Sequence, residues 1–145
     1  MTAIQSYTID ELSVGMTASL SRVIDHNAIV AFAEVSGDHN PVHLDEEFAA
    51  NTMFKTRIAH GMLSASLFST VIGMQLPGQG TIYLSQTLNF RAPVKLGDTV
   101  TVTVEITEID VRRRRVTIAC VAKVGNTVVI DGEAKVLARA AEKRT

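Results

Sequence analysis

From Ile58 to Phe90 the chain contains no Asp, Glu, Lys or Arg, and this absence limits what can be built there. Within it, Met62, Leu63, Leu67, Phe68, Val71, Ile72, Met74 and Leu76 fall on more than one face of a helix running from Gly61. A helix that is apolar nearly all round belongs in an interior. Ser64, Ser66, Ser69, Thr70, Gly73 and Gln75 interrupt the apolar stretch from Gly61 to Leu76, which is also shorter than the roughly 20 residues a spanning helix needs. The rest of the same chain must therefore supply the cover.

From Gly80 onward the period changes from helical to two. Ile82, Leu84, Leu88 and Phe90 share one face of a first strand, and Val100, Val102, Val104 and Ile106 one face of a second. Val116, Ile118, Cys120, Ala122 and Val124 do so in a third, and Val128, Ile130, Ala134 and Val136 in a fourth. The opposite faces carry Thr81, Thr87, Thr101, Glu105, Thr117, Lys123, Glu133 and Lys135. One buried and one wetter face implies an antiparallel meander. Gly125–Asn126 suits a tight hairpin turn, and Gly97–Asp98 a second turn. The pattern predicts an α+β chain of hot-dog architecture, an antiparallel β-sheet wrapped around a long central α-helix.

The N-terminal half reads as a short strand over TASLSRVI, then a helix capped by Asp25 with Ile29, Phe32, Ala33 and Val35 on one side. Ser36–Gly37 supplies a left-handed stop. DHNPVHL reads as a loop, because Pro41 pushes Asn40 into an extended conformation. Asp45 is a second N-cap, with Glu46 and Glu47 in the first turn of a short helix.

Composition narrows the class. A length of 145 residues suits one domain spanning 1–145. A net charge of −1 offers no global field for nucleic acid. The N-terminus lacks the basic start and apolar run of a signal peptide. Cys120 is the only cysteine, so no internal disulfide forms, which fits a reducing compartment. The expectation is a cytoplasmic protein without nucleic-acid or membrane partners.

The polar cluster is S36-G-D-H-N-P-V-H43, with H60-G-M-L downstream. Asp38 alone could be a turn residue and His43 alone a core histidine with a backbone hydrogen bond. Together they are two titratable groups that can act on one water. A helix start at Gly61 presents free N–H groups and partial positive charge. Asp38, His39, His43 and His60 could also be imagined around a metal, yet no HExxH or paired-Cys motif supports one.

FAEVSGDHNPVHLDEEFA followed by IAHGMLSASLFSTVIGMQLPG, with the later LNFRAPVKLGDTV, resembles the (R)-specific enoyl-CoA hydratases of the MaoC-like hot-dog family. The resemblance implies that Asp38 and His43 jointly activate water and that the Gly61 N–H polarises the thioester carbonyl. It implies a serine bonded to the catalytic Asp, matched in position by Ser69, with Ser64 and Ser66 nearby on the same helix. Asn40 is assigned to steadying the loop or touching substrate. Arg91, Lys95 and the run Arg112–Arg115 are rival binders for the CoA phosphates, with Arg91 and Arg114 put forward. The resemblance further implies a homodimer joined edge to edge through its sheets, no metal, and no cofactor beyond the coenzyme A of an acyl-CoA substrate. In the family the reaction often links fatty-acid oxidation to polyhydroxyalkanoate monomers.

Two other functions fit the fold. A hot-dog acyl-CoA thioesterase would put a carboxylate on the buried helix, and Gly61 to Leu76 has none. A non-catalytic acyl-CoA-binding module would have no reason to set an Asp–His pair beside the thioester.

Overall fold

Val100, Val102, Val104 and Ile106 are each 0% exposed, while their sequence neighbours Thr101, Thr103 and Glu105 reach solvent. That alternation is the pleat of β3 (Thr99–Asp110) pressing one face on a core. It repeats in β4 (Arg115–Val124), through Val116, Ile118, Cys120 and Ala122. β5 (Thr127–Leu137), β2 (Ile82–Phe90) and β1 (Thr17–Val23) complete an antiparallel five-stranded sheet in the order β1-β3-β4-β5-β2. The structure, a computed structural model, describes residues 3–142. Positions 1–2 and 143–145 of the expected 1–145 domain lie outside the described residues.

Between β1 and β2 come α1 (His26–Ser36), α2 (Pro41–Leu44), α3 (Glu46–Ala50) and α4 (Gly61–Met74). α4 lies on the inner sheet face against β3, β1 and β4. Phe68, Val71 and Ile72 are at most 1% exposed there. Burying such side chains contributes on the order of 1.5–3 kcal/mol each. This is the expected hot-dog arrangement, and the capping expectations hold with it. Asp25 accepts from the Ala28 N–H and Asp45 from the Phe48 N–H, and Gly37 takes the left-handed φ of 77°.

Five local expectations are corrected. DHNPVHL is not all loop: Pro41 opens the single-turn α2, and Asn40, extended at ψ 126°, caps it by accepting from the Val42 N–H. Proline fits there because the first N–H of a helix has no intrahelical acceptor. Val35 is 88% exposed and shares no buried face with Ile29 and Ala33. α4 is not covered all round, since Met62, Ser66, Ser69, Thr70 and Gly73 form an open stripe. β2 sits beside β5 at the sheet edge, not beside β3, so the strands are not a simple meander. Finally, bulges shift two faces. One at Leu84 puts Tyr83, not Ile82, on the face of Gln86, Leu88 and Phe90. Another, between Ala122 and Lys123 of β4, leaves Val129 of β5 unpaired; it is buried at 1% while Val128 is half-buried.

Candidate active site

α2 delivers His43 to the interior, 9% exposed, although it follows an exposed loop by only three residues. Its Nδ1 lies 2.8 Å from the carbonyl oxygen of Ile58. A carbonyl can only accept, so Nδ1 carries the proton and the neutral ring keeps its lone pair on Nε2. The backbone of His43 is held too, because the Arg57 Nε donates to its carbonyl at 2.7 Å. Arg57 is 7% exposed and its Nη1 donates to His26 Nδ1 at 3.1 Å. The ring is thus held at Nδ1 and the backbone at its carbonyl, both by partners that sequence spacing does not reveal.

Asp38 occupies the exposed turn after Gly37. Its Oδ1 accepts from the Asn40 N–H at 3.2 Å, and its own N–H donates to Ser36 Oγ at 3.1 Å. One ligand atom from each of Asp38, His43 and His60 lies within 4.8 Å of the others. Two groups that share one water through hydrogen bonds of ordinary length stand roughly 4.6 Å apart, so the Asp38–His43 spacing suits a shared water. Three of the four residues imagined around a metal do converge. His39 does not: it turns outward to Glu34 at 3.4 Å, and that carboxylate, followed by the Gly37 carbonyl, raises its pKa.

Gly61 opens α4, where the first N–H groups have no intrahelical acceptor. A Cβ on Gly61 would lie 2.7 Å from Cε1 of Phe90, so glycine is what allows that ring against the helix start. Gly61 and Phe90 line a cleft of 560 Å³ with Phe54, Ile58, Ser64 and Arg91 among its walls. The cleft therefore begins at residues flanking His60 and continues along apolar surface, which suits an acyl or pantetheine chain.

The remaining assignments divide. Asn40 caps α2 and so steadies the loop. Arg91 lies at the cleft, paired through Nε and Nη2 with Asp131 at 3.1 and 3.3 Å. That guanidinium, with Asn89 assisting, holds the Asp131 carboxyl below its ordinary range. Arg114 is not at the cleft. It sits in the β3–β4 turn with Nη1 donating to the Ala138 carbonyl, and register places that turn by Ile82, the far end of β2 from Phe90. Ser69 is exposed on the open stripe of α4 and makes no hydrogen bond to Asp38 within the chain. The serine that does face the cleft is Ser64, 1% exposed with no partner for its hydroxyl.

Arg57 and His60 are the site residues that sequence reasoning missed in these roles. Arg57 is the last charged residue before the charge-free stretch, and that was its only signal.

Comparison with known proteins gives the family of the chain. The family described as MaoC like domain matches residues 11–129. The chain is 54% identical over 127 residues to a 3-hydroxybutyryl-CoA dehydratase of Methylorubrum extorquens, covering 88% of this chain and 81% of that protein. It is 48% identical over 128 residues to an (R)-specific enoyl-CoA hydratase of Rhodospirillum rubrum, covering 88% and 89%. Among solved structures, the unliganded R-hydratase PhaJ1 from Pseudomonas aeruginosa superposes with a TM-score of 0.91 at 45% identity, covering 98% of this chain and 94% of that one.

Proposed function

The chain belongs to the MaoC-like domain family, and on that premise we propose that it adds water reversibly to a trans-2-enoyl-CoA, giving an (R)-3-hydroxyacyl-CoA. The observation that carries this reading is the His43 Nδ1–Ile58 carbonyl bond at the cleft wall, which leaves the lone pair on Nε2 of a ring that has one nitrogen within 4.8 Å of an Asp38 carboxylate oxygen.

The chemistry follows from those positions. Asp38 and His43 hold one water and take a proton from it as its oxygen bonds to C3. The π electrons of C2=C3 move to the thioester oxygen, which the Gly61 N–H stabilises as charge develops. The proton held by the pair then passes to C2, so the elements of one water are added. Both new bonds form on the face that the pair presents. A donor that meets the oxygen best when it is charged lowers the barrier more than it tightens ground-state binding.

No metal or separate cofactor enters this scheme, and coenzyme A comes as part of the substrate. Arg91 is the proposed contact for its phosphates. The dimer is a second copy joined along β2, the edge strand on which Ile82, Leu84 and Phe90 are 56%, 45% and 53% exposed. An unpaired edge with such side chains is a ready pairing surface. No helix among the described residues is long and apolar enough to cross a membrane, and the cytoplasm is the proposed compartment.

The test is the loss of enoyl-thioester absorbance with crotonyl-CoA and trans-2-octenoyl-CoA, coupled to an (R)-specific 3-hydroxyacyl-CoA dehydrogenase. Signal through the coupling enzyme supports reaction and stereochemistry together. Release of free thiol without that signal would make the chain a thioesterase instead.

A further inference from the structure

His60 is 3% exposed and ends the loop that leads into α4, yet the water-activating scheme gives it no task. Its surroundings do. Nε2 lies 3.0 Å from the carbonyl oxygen of Asp38, so in the neutral ring Nε2 is the protonated nitrogen. Its ring stacks on His43 with centroids 3.9 Å apart and planes at 28°, and it meets Phe32 at 4.8 Å. Its own carbonyl accepts the first intrahelical bond of α4, from the Leu63 N–H at 3.1 Å. Asp38, His43 and the helix that starts at Gly61 therefore all touch one side chain or its backbone.

The hydrogen bonds of residues 37–40 make the point sharper. The Gly37 N–H donates to Ala33, the Asp38 N–H to Ser36 and the Asn40 N–H to Asp38. His39 reaches Gly37 and Glu34, and Asn40 accepts from Val42 and His43. All of these are local. The His60–Asp38 bond, which spans 22 residues, is the one that ties this segment to the rest of the described chain. Without it the turn would keep its ends, which α1 and α2 anchor, but lose the hydrogen bond that fixes the Asp38 backbone between them. A misplacement of about 1 Å at a reacting group can cost about 10²-fold in rate.

We propose that His60 is a positioning residue: by donating Nε2–H to the Asp38 carbonyl while stacking on His43, it sets the separation of the two water-activating groups and their height above Gly61. This rests on the hydratase reading for its effect on rate, but the positioning itself is a property of the fold and has its own readout.

Two substitutions separate the donor from the ring. His60→Phe keeps an aromatic stack and removes the donor, whereas His60→Gln keeps an N–H at nearly the same reach and removes the ring. Steady-state hydration of crotonyl-CoA and amide hydrogen exchange over residues 37–44 are measured on both, with melting temperature as the control for folding. His60→Phe should lose about tenfold or more in kcat with KM changed less than about threefold, and its loop amides should exchange faster. His60→Gln should recover most of the kcat and keep the loop protected. Should phenylalanine not fold, His60→Met provides the same donor-free comparison. Wild-type kcat and unaltered exchange in a folded donor-free variant would overturn the proposal, as would equal loss in the glutamine variant. If the wild-type protein hydrates nothing, the hydratase reading fails, and the exchange comparison still decides the role of His60.

Discussion

His43 donates its Nδ1–H to the carbonyl oxygen of Ile58 at 2.8 Å, so a backbone group from the segment before α4 selects the tautomer of a side chain carried on α2. The carbonyl cannot accept unless Nδ1 is protonated, so the neutral ring carries its lone pair on Nε2. The same contact ties α2 to the lip of the cleft, because Ile58 also lines it.

Removing either member of the pair should cost rate and spare the fold. Asp38→Asn keeps the shape of an exposed turn residue and loses the charge, and His43→Ala loses the base. Each should lower kcat by about 10²-fold or more, the usual worth of a positioned acid–base group. Steady-state kinetics beside circular dichroism check this. A variant that raised KM alone would reassign that residue to substrate positioning.

Gly61→Ala tests the close approach of Phe90. The added methyl would stand 2.7 Å from the Phe90 ring, whose side chain is 53% exposed and can swing away. The melting temperature should barely change, while the displaced ring narrows the cleft and lowers kcat/KM by about tenfold or more. Phe90→Leu in the Gly61→Ala background should restore part of it. No restoration would mean that the methyl acts on the thioester oxygen's site directly.

Cys120 is 0% exposed, and burial is the main influence that pushes its thiol above the ordinary 9.0. The thiolate is the reactive form, so iodoacetamide should leave the native protein unlabelled from pH 7 to 9 and label it fully in denaturant. The sign for stability follows. The contribution is fully present below the unfolded thiol's value and is lost as pH rises through the higher folded one. Labelling of the native protein at pH 8 would show that the core opens.

Incubation with a strong chelator should leave activity unchanged, because the proposed steps use only Asp38, His43 and the helix N-terminus. The convergence of Asp38, His43 and His60 within 4.8 Å makes this a real test. Loss of activity restored by a divalent ion would assign these three residues to a metal.

Much of this protein is determined locally and is therefore written in the chain. The change from helical to alternating period, the caps at Asp25 and Asp45, the stop at Gly37 and the joint appearance of Asp38 and His43 all depend on neighbours within a few residues. Sequence spacing could pair those two side chains but could not give them partners. Which nitrogen of His43 is basic depends on Ile58, fifteen residues away, and the placement of Asp38 depends on His60, twenty-two away. Ser69 and Arg114 were chosen by position along the chain, and packing turned one outward and put the other at the far end of the sheet. β2 pairs with β5 at the edge, and its bulge at Leu84 reverses the face that strict alternation assigns to Ile82. Local backbone preference acts over one turn or one pleat, whereas a hydrogen-bond partner or a strand neighbour is selected only when the whole chain has closed around its core.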